Sequence, residues 1–402
     1  MPSHALPHQT HYVIATLKHP VAWAIDGTET WLLNPARRYV FNADMVRDLS
    51  EHVDTLSDLR SGSKYKPLKL GENILGKRVL VDRYRHRGIG DLLFLTGPLA
   101  WLQHSTGGNV TADLYALAER GCVFNDNPAV SGRAALNGPI HYDDFDNYAA
   151  QWMVEQATEF DEQPDQLNVY DALYRTMDVD PGTVDPKFKR PFASLNSADV
   201  RGLDAYYWQI HRDFQLDFRS TPYYTVAPLS HASLRTVPYT TWLEVIEKLA
   251  RKAPVVVLGS PREGLTPAAG ISYAEFAAEL DKMRAAGAPL VDSCGKTPLR
   301  LTMAIVSRSK ALACLDSGLL YVAQAFHTPA VSVWGTHDPR TRIGYDKAYM
   351  DLAVFDKRRC PHAPCYAYSR FPTHKCPSGE NQSVCEVLKV PASEILEKIS
   401  SV

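Results

Sequence analysis

The sequence predicts an α/β protein of two parallel-sheet domains in tandem, with an extension at each end. Three observations predict it. Strand-like apolar runs alternate with helix-like stretches through the second half of the chain, which is the pattern of a parallel sheet covered on both faces. A separate strand, glycine turn and helix begin near residue 77. The 402 residues are enough for two to three cores at ~150 residues each. Composition agrees: 45% apolar and 22% charged residues describe an ordinary globular chain, and the 23 glycines and 27 prolines form no repeat, which excludes collagen-like or wholly disordered structure.

Residues 1–75 carry short apolar runs, His11 to Thr16, Val21 to Ala24 and Thr30 to Leu33, separated by turn-formers. They predict a small β-rich extension, and the polar stretch Leu59 to Lys66 predicts a linker behind it. A first Rossmann-like domain is expected over 76–222. Lys77 to Asp82 reads as its strand and Gly88-Ile89-Gly90-Asp91 as a tight turn; Leu92, Leu95, Leu99 and Leu102 then mark one helix face. Between His141 and Asp165 there are eight acids and no Lys or Arg, which predicts a solvated face with helical stretches. A second domain is expected over 223–355, with strands at Tyr224 to Leu229, Val255 to Leu258, Leu290 to Asp292, Ala311 to Leu315 and Ala330 to Trp334. Trp242, Val245, Ile246 and Leu249 mark one covering helix, and Tyr273, Phe276, Leu280 and Met283 another. Residues 356–402 form a cysteine-containing segment and a C-terminal helix.

Charge narrows the function classes. Lys and Arg number 43 against 45 acids, so a net charge of −2 gives no whole-molecule attraction to nucleic acid or anionic membrane, and any polyanion site must be local. No segment approaches the ~18 to 20 consecutive apolar residues of a membrane span, and the start of the chain lacks a secretory signal, so a cytoplasmic location is expected. The odd count of seven cysteines fits a reducing compartment.

In doubly wound sheets ligands lie outside the carboxyl ends of the strands, so the strand-to-helix turns carry the candidates. At Gly88-Ile89-Gly90-Asp91 the glycines admit a ligand close to the backbone, and Asp91 is either a reactive carboxylate or a helix cap. At Asp316-Ser317-Gly318 the backbone N–H groups of a helix start suit a phosphate, with a plain N-cap as the alternative. At Pro228-Leu229-Ser230, a hydroxyl and the guanidinium of Arg235 could hold a diphosphate, unless Arg235 is simply a surface residue.

These turns occur in an order that resembles the heptosyltransferase-like glycosyltransferases of family 9. Gly88-Ile89-Gly90-Asp91-Leu92-Leu93-Phe94-Leu95-Thr96 resembles their N-terminal signature. Cys294-Gly295-Lys296-Thr297-Pro298-Leu299, Asp316-Ser317-Gly318, Thr328 to Gly335 and His337-Asp338-Pro339 resemble their C-terminal block. The resemblance spans roughly residues 76–400. It implies the GT-B fold, two Rossmann-like domains facing a central cleft, and an inverting transfer of a sugar from a nucleotide-diphosphate donor that uses no metal in the chemistry. Carried onto this chain, Asp91 would be the general base. Ser230, Arg235, Ser317 and Gly318 would meet the diphosphate charge. Gly259, Ser260 and Glu263 would lie near the nucleoside, Glu263 as a candidate for the ribose hydroxyls, and Asp316 would contact the donor sugar or hold its turn. The family's Lys and Trp positions hold Arg235 and Val237. Its His after the Asp-Ser/Thr-Gly turn is Tyr321, so that donor contact is either lost or remade by a phenol.

Two basic features complete the reading. Arg83, Arg85 and Arg87 run into Gly88 and Gly90, either as a solvated face or as the binding site of an anionic acceptor. By family frequency that acceptor is a phosphorylated glycan of the lipopolysaccharide type. A hydroxymethylated base in DNA is the alternative, and a non-catalytic nucleotide- or glycan-binding module a further one. Cys360, Cys365, Cys376 and Cys385, with four, ten and eight residues between them, lie in an otherwise basic segment. They could hold one structural zinc, or else remain buried thiols or form disulfides.

Overall fold

Short strands must find partners for their backbone groups, and the way these strands do so ties the N-terminal extension into the first domain. The computed structural model describes residues 12–402 except 26–28, 43–45, 47, 70–75, 83–87, 116–117, 128–129, 131–137, 155–166, 231, 262–265, 367–375 and 380–384. Strand β1 (Tyr12–Leu17) pairs antiparallel with both β4 (Tyr39–Asn42) and β5 (Val53–Asp58), and β2 (Val21–Ile25) forms a hairpin with β3 (Glu29–Leu33). A fourth strand comes from far along the chain: β8 (Ile140–His141) pairs with β4. Side chains of β1 point alternately to two faces, and both are buried. Val13, Ala15 and Leu17 join Trp31, Tyr39 and Phe41, while Tyr12 and Ile14 join Leu80, Tyr142 and Met153 of the first domain.

The expected linker is consequently not free. Leu59 is buried, the Lys64 N–H donates to the Tyr142 hydroxyl at 2.9 Å, and the Lys66 N–H donates to Oε1 of Gln151 at 2.7 Å. Its polar side chains suggested a loop, but its backbone donors are satisfied by the neighbouring domain.

In the first domain β6 (Arg78–Asp82) is central, with β7 (Thr111–Tyr115) and β9 (Ala150–Met153) parallel on either side. Strand β9 corrects the solvated helical face expected over 141–165. Asp143, Asp144 and Asp146 lie in a 3-10 helix, and the four residues of β9 after it are all buried. Averaging the acids over the whole stretch hid the apolar Trp152 and Met153. Gln151 is tolerated inside because its side chain accepts from Lys66 and donates to the Phe145 carbonyl.

Helix α1 (Ile89–Ser105) follows β6 and is apolar almost all round, as a central helix must be. At Gly97 and Thr96 it is crossed by the backbone of residues 188–192, with the Phe192 N–H donating to Oγ1 of Thr96 at 2.7 Å. The helix Val169–Arg175, here α2, packs beside it, and α3 (Ser197–Phe214) leads into the second domain.

The second domain is a six-stranded parallel sheet in the order β12-β11-β10-β13-β14-β15. Strands β10 (Tyr224–Ala227), β11 (Val255–Val257), β12 (Leu290–Asp292), β13 (Ala311–Leu315) and β14 (Ala330–Val333) are the expected runs, some one or two residues shorter, and β15 (Ala353–Val354) was not expected. The order reverses between β10 and β13, which opens a crevice at their carboxyl ends. Trp242, Val245, Ile246 and Leu249 of α4 (Tyr239–Ala250) are fully buried. In α5 (Tyr273–Ala285) Phe276 and Leu280 are buried, whereas Tyr273 and Met283 reach only the edge of the core. Helix α6 (Leu299–Arg308) and α7 (Gly318–Ala325) cover the other face, and α8 (Ala392–Ser400) buries Ile395 and Ile399 in the same core as α4.

Gly97→Ala tests the crossing. In an open helix Ala would gain up to ~1 kcal/mol over Gly. Here a Cβ would strike the Phe188 carbonyl and lie 2.7 Å from that of Arg190, and neither backbone atom can rotate away. The clash should win, with a net loss of about 1–3 kcal/mol in chemical denaturation. An unchanged or raised unfolding midpoint would show that the crossing is loose.

Candidate functional site

Four strand ends of the second domain converge beside the first turn of α1. From β10 comes Pro228-Leu229-Ser230, from β11 Gly259-Ser260, from β13 Asp316-Ser317, and from β14 the run to Thr336 and His337. The two domains touch where α1 and α7 begin. A Cβ on Gly318 would lie 2.8 Å from Cβ of Ile89, and one on Gly90 would lie 2.6 Å from the Tyr321 ring. Only glycine fits at either position. The Phe94 ring of α1 packs on Tyr321 with centroids 4.4 Å apart.

Asp316 is the centre of the polar groups here. The Tyr321 hydroxyl donates to its Oδ1 at 2.9 Å. Its Oδ2 faces Nη2 of Arg235 at 3.8 Å and Nδ1 of His337 at 3.9 Å. His337 is 1% exposed, contacts the Thr336 hydroxyl at 3.0 Å, and meets the Tyr366 ring edge-on at 5.4 Å. Burial, then the charges of Arg342 and Arg235, hold the His337 pKa well below the usual imidazole range, so it is neutral at physiological pH. Burial and the Asp316 carboxylate push the Tyr321 phenol well above its ordinary value. The result is a carboxylate held by the Tyr321 hydroxyl and facing the Arg235 guanidinium.

The remaining expected residues divide between the two domains. Asp91 is the third residue of α1 and half-buried. Its carboxylate is turned back over Gly88, close to the positive end of the helix. Ser317 is the N-cap of α7 but makes no side-chain cap bond, which leaves the helix start open to an anion. The Ser230 hydroxyl is engaged in its own turn, 3.1 Å from both the carbonyl and the N–H of Ala232. Gly259 has φ of +145° and abuts Leu229, joining the ends of β10 and β11, and Ser260 beside it is exposed. Tyr321 is 4% exposed, and its hydroxyl is bonded to Asp316. Glu263, Arg83, Arg85 and Arg87 lie outside the described residues.

Cys360, Cys365, Cys376 and Cys385 line one cavity, together with Leu234 and Gly335. No disulfide joins any of the seven cysteines, so the disulfide alternative is not realised. Among the described residues no group of three or more His, Cys, Asp or Glu is arranged to hold a metal ion. Burial, with the Cys365 and Cys360 thiols adding to it, pushes the Cys385 thiol up to about 11.

Sequence reasoning missed His337 and Arg342 as site residues. Their signal was present, because both follow the end of β14 and ligands in such sheets lie beyond strand ends; what a linear reading could not supply was that His337 faces Asp316 and that the Arg342 charge bears on His337. His337 also implies a pH effect. Its folded pKa is depressed, so the unfolded chain binds a proton below ~6.5 that the folded chain refuses, and stability falls as pH drops from there. His337→Gln should flatten the fall in urea midpoint between pH 7 and 5 relative to the unsubstituted chain. Parallel curves would mean that His337 protonates freely.

Residues 197–367 match the family described as Glycosyltransferase family 9 (heptosyltransferase). No curated protein matches the chain. Among solved structures, the E. coli ADP-heptose lps heptosyltransferase II aligns with a TM-score of 0.53 at 15% identity, over 81% of this chain and 98% of its own. A family 9 glycosyltransferase from Veillonella parvula gives 0.53 at 13%, over 84% and 99%. The iron-containing dodecameric glycosyltransferase TibC from enterotoxigenic E. coli gives 0.55 at 16%, over 98% and 92%. The fold is therefore the two-domain one expected, and the 98% coverage brings the N-terminal β layer into it. Among the described residues no helix is long and apolar enough to cross a membrane. The family match over residues 197–367 and the fold shared with solved heptosyltransferases across both domains point the same way.

Proposed function

We propose that this enzyme transfers a sugar from a nucleotide-diphosphate donor to a hydroxyl of an anionic glycan of the lipopolysaccharide type, with inversion and without a metal in the chemistry. One observation carries the reading: the first turn of α1, which bears Asp91, packs directly on the first turn of α7, beside Asp316 and Arg235. A base and an anion-binding helix start thus share one junction. In the reaction the acceptor oxygen attacks the anomeric carbon as its proton passes to Asp91, and the bond from that carbon to the diphosphate oxygen breaks. The electron pair leaves with the nucleoside diphosphate, whose growing charge is met by Arg235 and the N–H groups at Ser317 and Gly318. Gly259, Ser260 and Glu263 are assigned to the nucleoside side. ADP-heptose, with which TibC has also been solved in complex, is the first donor to test.

Arg83, Arg85 and Arg87 are assigned to an anionic acceptor. The DNA alternative gains no support from the relatives above, and a module without turnover has no use for a carboxylate at Asp91. The discriminating experiment incubates the protein and a panel of nucleotide sugars with a phosphorylated glycan or with hydroxymethylated duplex DNA, and reads products by mass.

The cysteine quartet is assigned a structural metal, whose binding would have to rearrange thiols that do not stand as a ligand set among the described residues. Four soft sulfur donors on one cavity suit zinc, and iron is the metal named for the TibC relative. Such an ion would supply folding free energy by holding the segment of Cys360–Cys385 together, and it takes no part in the transfer.

Asp91→Asn should lower turnover by about 10² to 10⁴, with donor affinity and melting temperature little changed, because an amide cannot take the acceptor proton. Retention of a third or more of the turnover would leave Asp91 as a helix cap. Chelation should lower the melting temperature while the rate in a short assay persists. An immediate loss of rate that Mg²⁺ restores would overturn the metal-independent chemistry.

A further inference from the structure

The residue that departs from the family pattern, Tyr321, is the one placed between the two halves of the site. We propose that Tyr321 is a positioning residue: its hydroxyl sets the orientation of Asp316 toward the donor sugar, and its ring sets the first turn of α1 against α7. The proposal takes Asp316 as a contact of the donor sugar rather than only the holder of its turn, and so rests on the donor site proposed above.

The geometry separates the two oxygens of Asp316. Tyr321 holds Oδ1 at 2.9 Å, which fixes the carboxylate plane. Oδ2 lies 3.8 Å from Arg235 and 3.9 Å from His337, beyond direct hydrogen-bond length, and so retains capacity for a sugar hydroxyl. Tyr321 itself is buried. On its other side the ring occupies the space that a side chain at residue 90 would need, with its Cε2 2.8 Å from that Cβ position, which accounts for the glycine there. Phe94 closes the ring's remaining edge. An imidazole at position 321 would be shorter than the phenol and would leave either Asp316 or the Gly90 contact unmade. Rotation of Tyr321 would therefore disturb the donor carboxylate and the turn bearing the base together.

The titratable and charged groups around Asp316 are Tyr321 on α7, Arg235 after β10, His337 and Arg342 after β14, and Cys314 on β13, with Asp91 on the facing turn.

The test measures calorimetric binding of ADP-heptose and of ADP for the unsubstituted chain, Tyr321→Phe and Tyr321→His, with melting temperatures alongside. Tyr321→Phe keeps the ring on Gly90. It should weaken ADP-heptose about tenfold and leave ADP within about twofold. Tyr321→His should weaken ADP-heptose at least as much. A merely structural role would weaken both ligands alike and follow melting temperature; that outcome, or ADP-heptose binding unchanged in Tyr321→Phe, overturns the proposal. If the unsubstituted chain binds ADP but no more tightly with the heptose attached, the donor-side reading of Asp316 fails, and this inference with it.

Discussion

The contact between two glycine-bearing helix starts is the constraint on which the site depends. Because neither Gly90 nor Gly318 has a side chain, α1 and α7 approach until backbone faces backbone. That approach brings the positive ends of two helices together, and such an arrangement is stable only where negative charge is close at hand. Asp316 and Asp91 supply it from opposite domains. The same contact divides the proposed site between the domains: the second holds the helix start assigned to the diphosphate, and the first the carboxylate assigned to the acceptor.

Around Asp316 the charges are arranged to avoid excess. Arg235 and Arg342 already place two permanent cations where a further charge, on His337, would be repelled. Keeping the imidazole neutral lets it pack between Thr336 and Tyr366 without desolvating a further charge. Tyr366 also carries the Cys365 segment onto the end of β14 through its N–H to the Thr336 carbonyl, 2.9 Å away. The cysteine-lined cavity thus shares a wall with the residues that flank Asp316.

The second domain was legible because its strands are buried on both faces and read as unbroken apolar runs such as Val255–Val257 and Ala311–Leu315. The glycine turns were legible because few residue types can make them. What failed to show was long-range. Strand β9 lay inside an acid-rich stretch whose average hid it, and the run from Leu59 to Lys66 looked free because its anchors, Tyr142 and Gln151, are some 80 residues away. Tyr321 was identified as a departure, but its role in the contact with Gly90 could not be read from either residue alone.

The strand at Ile140–His141 has a consequence for how this chain can be divided. It gives the first domain's own segment a place in the N-terminal sheet, while Tyr12 and Ile14 cover Leu80 and Met153 beneath. A fragment begun at the first Rossmann strand would carry an orphaned strand and a bare apolar face, the usual start of aggregation. The layer is therefore not a detachable tag on a transferase core. Gain or loss of it during descent would require the loop around residue 140 to change in the same step, so that lineages with and without it differ in two distant stretches of sequence at once.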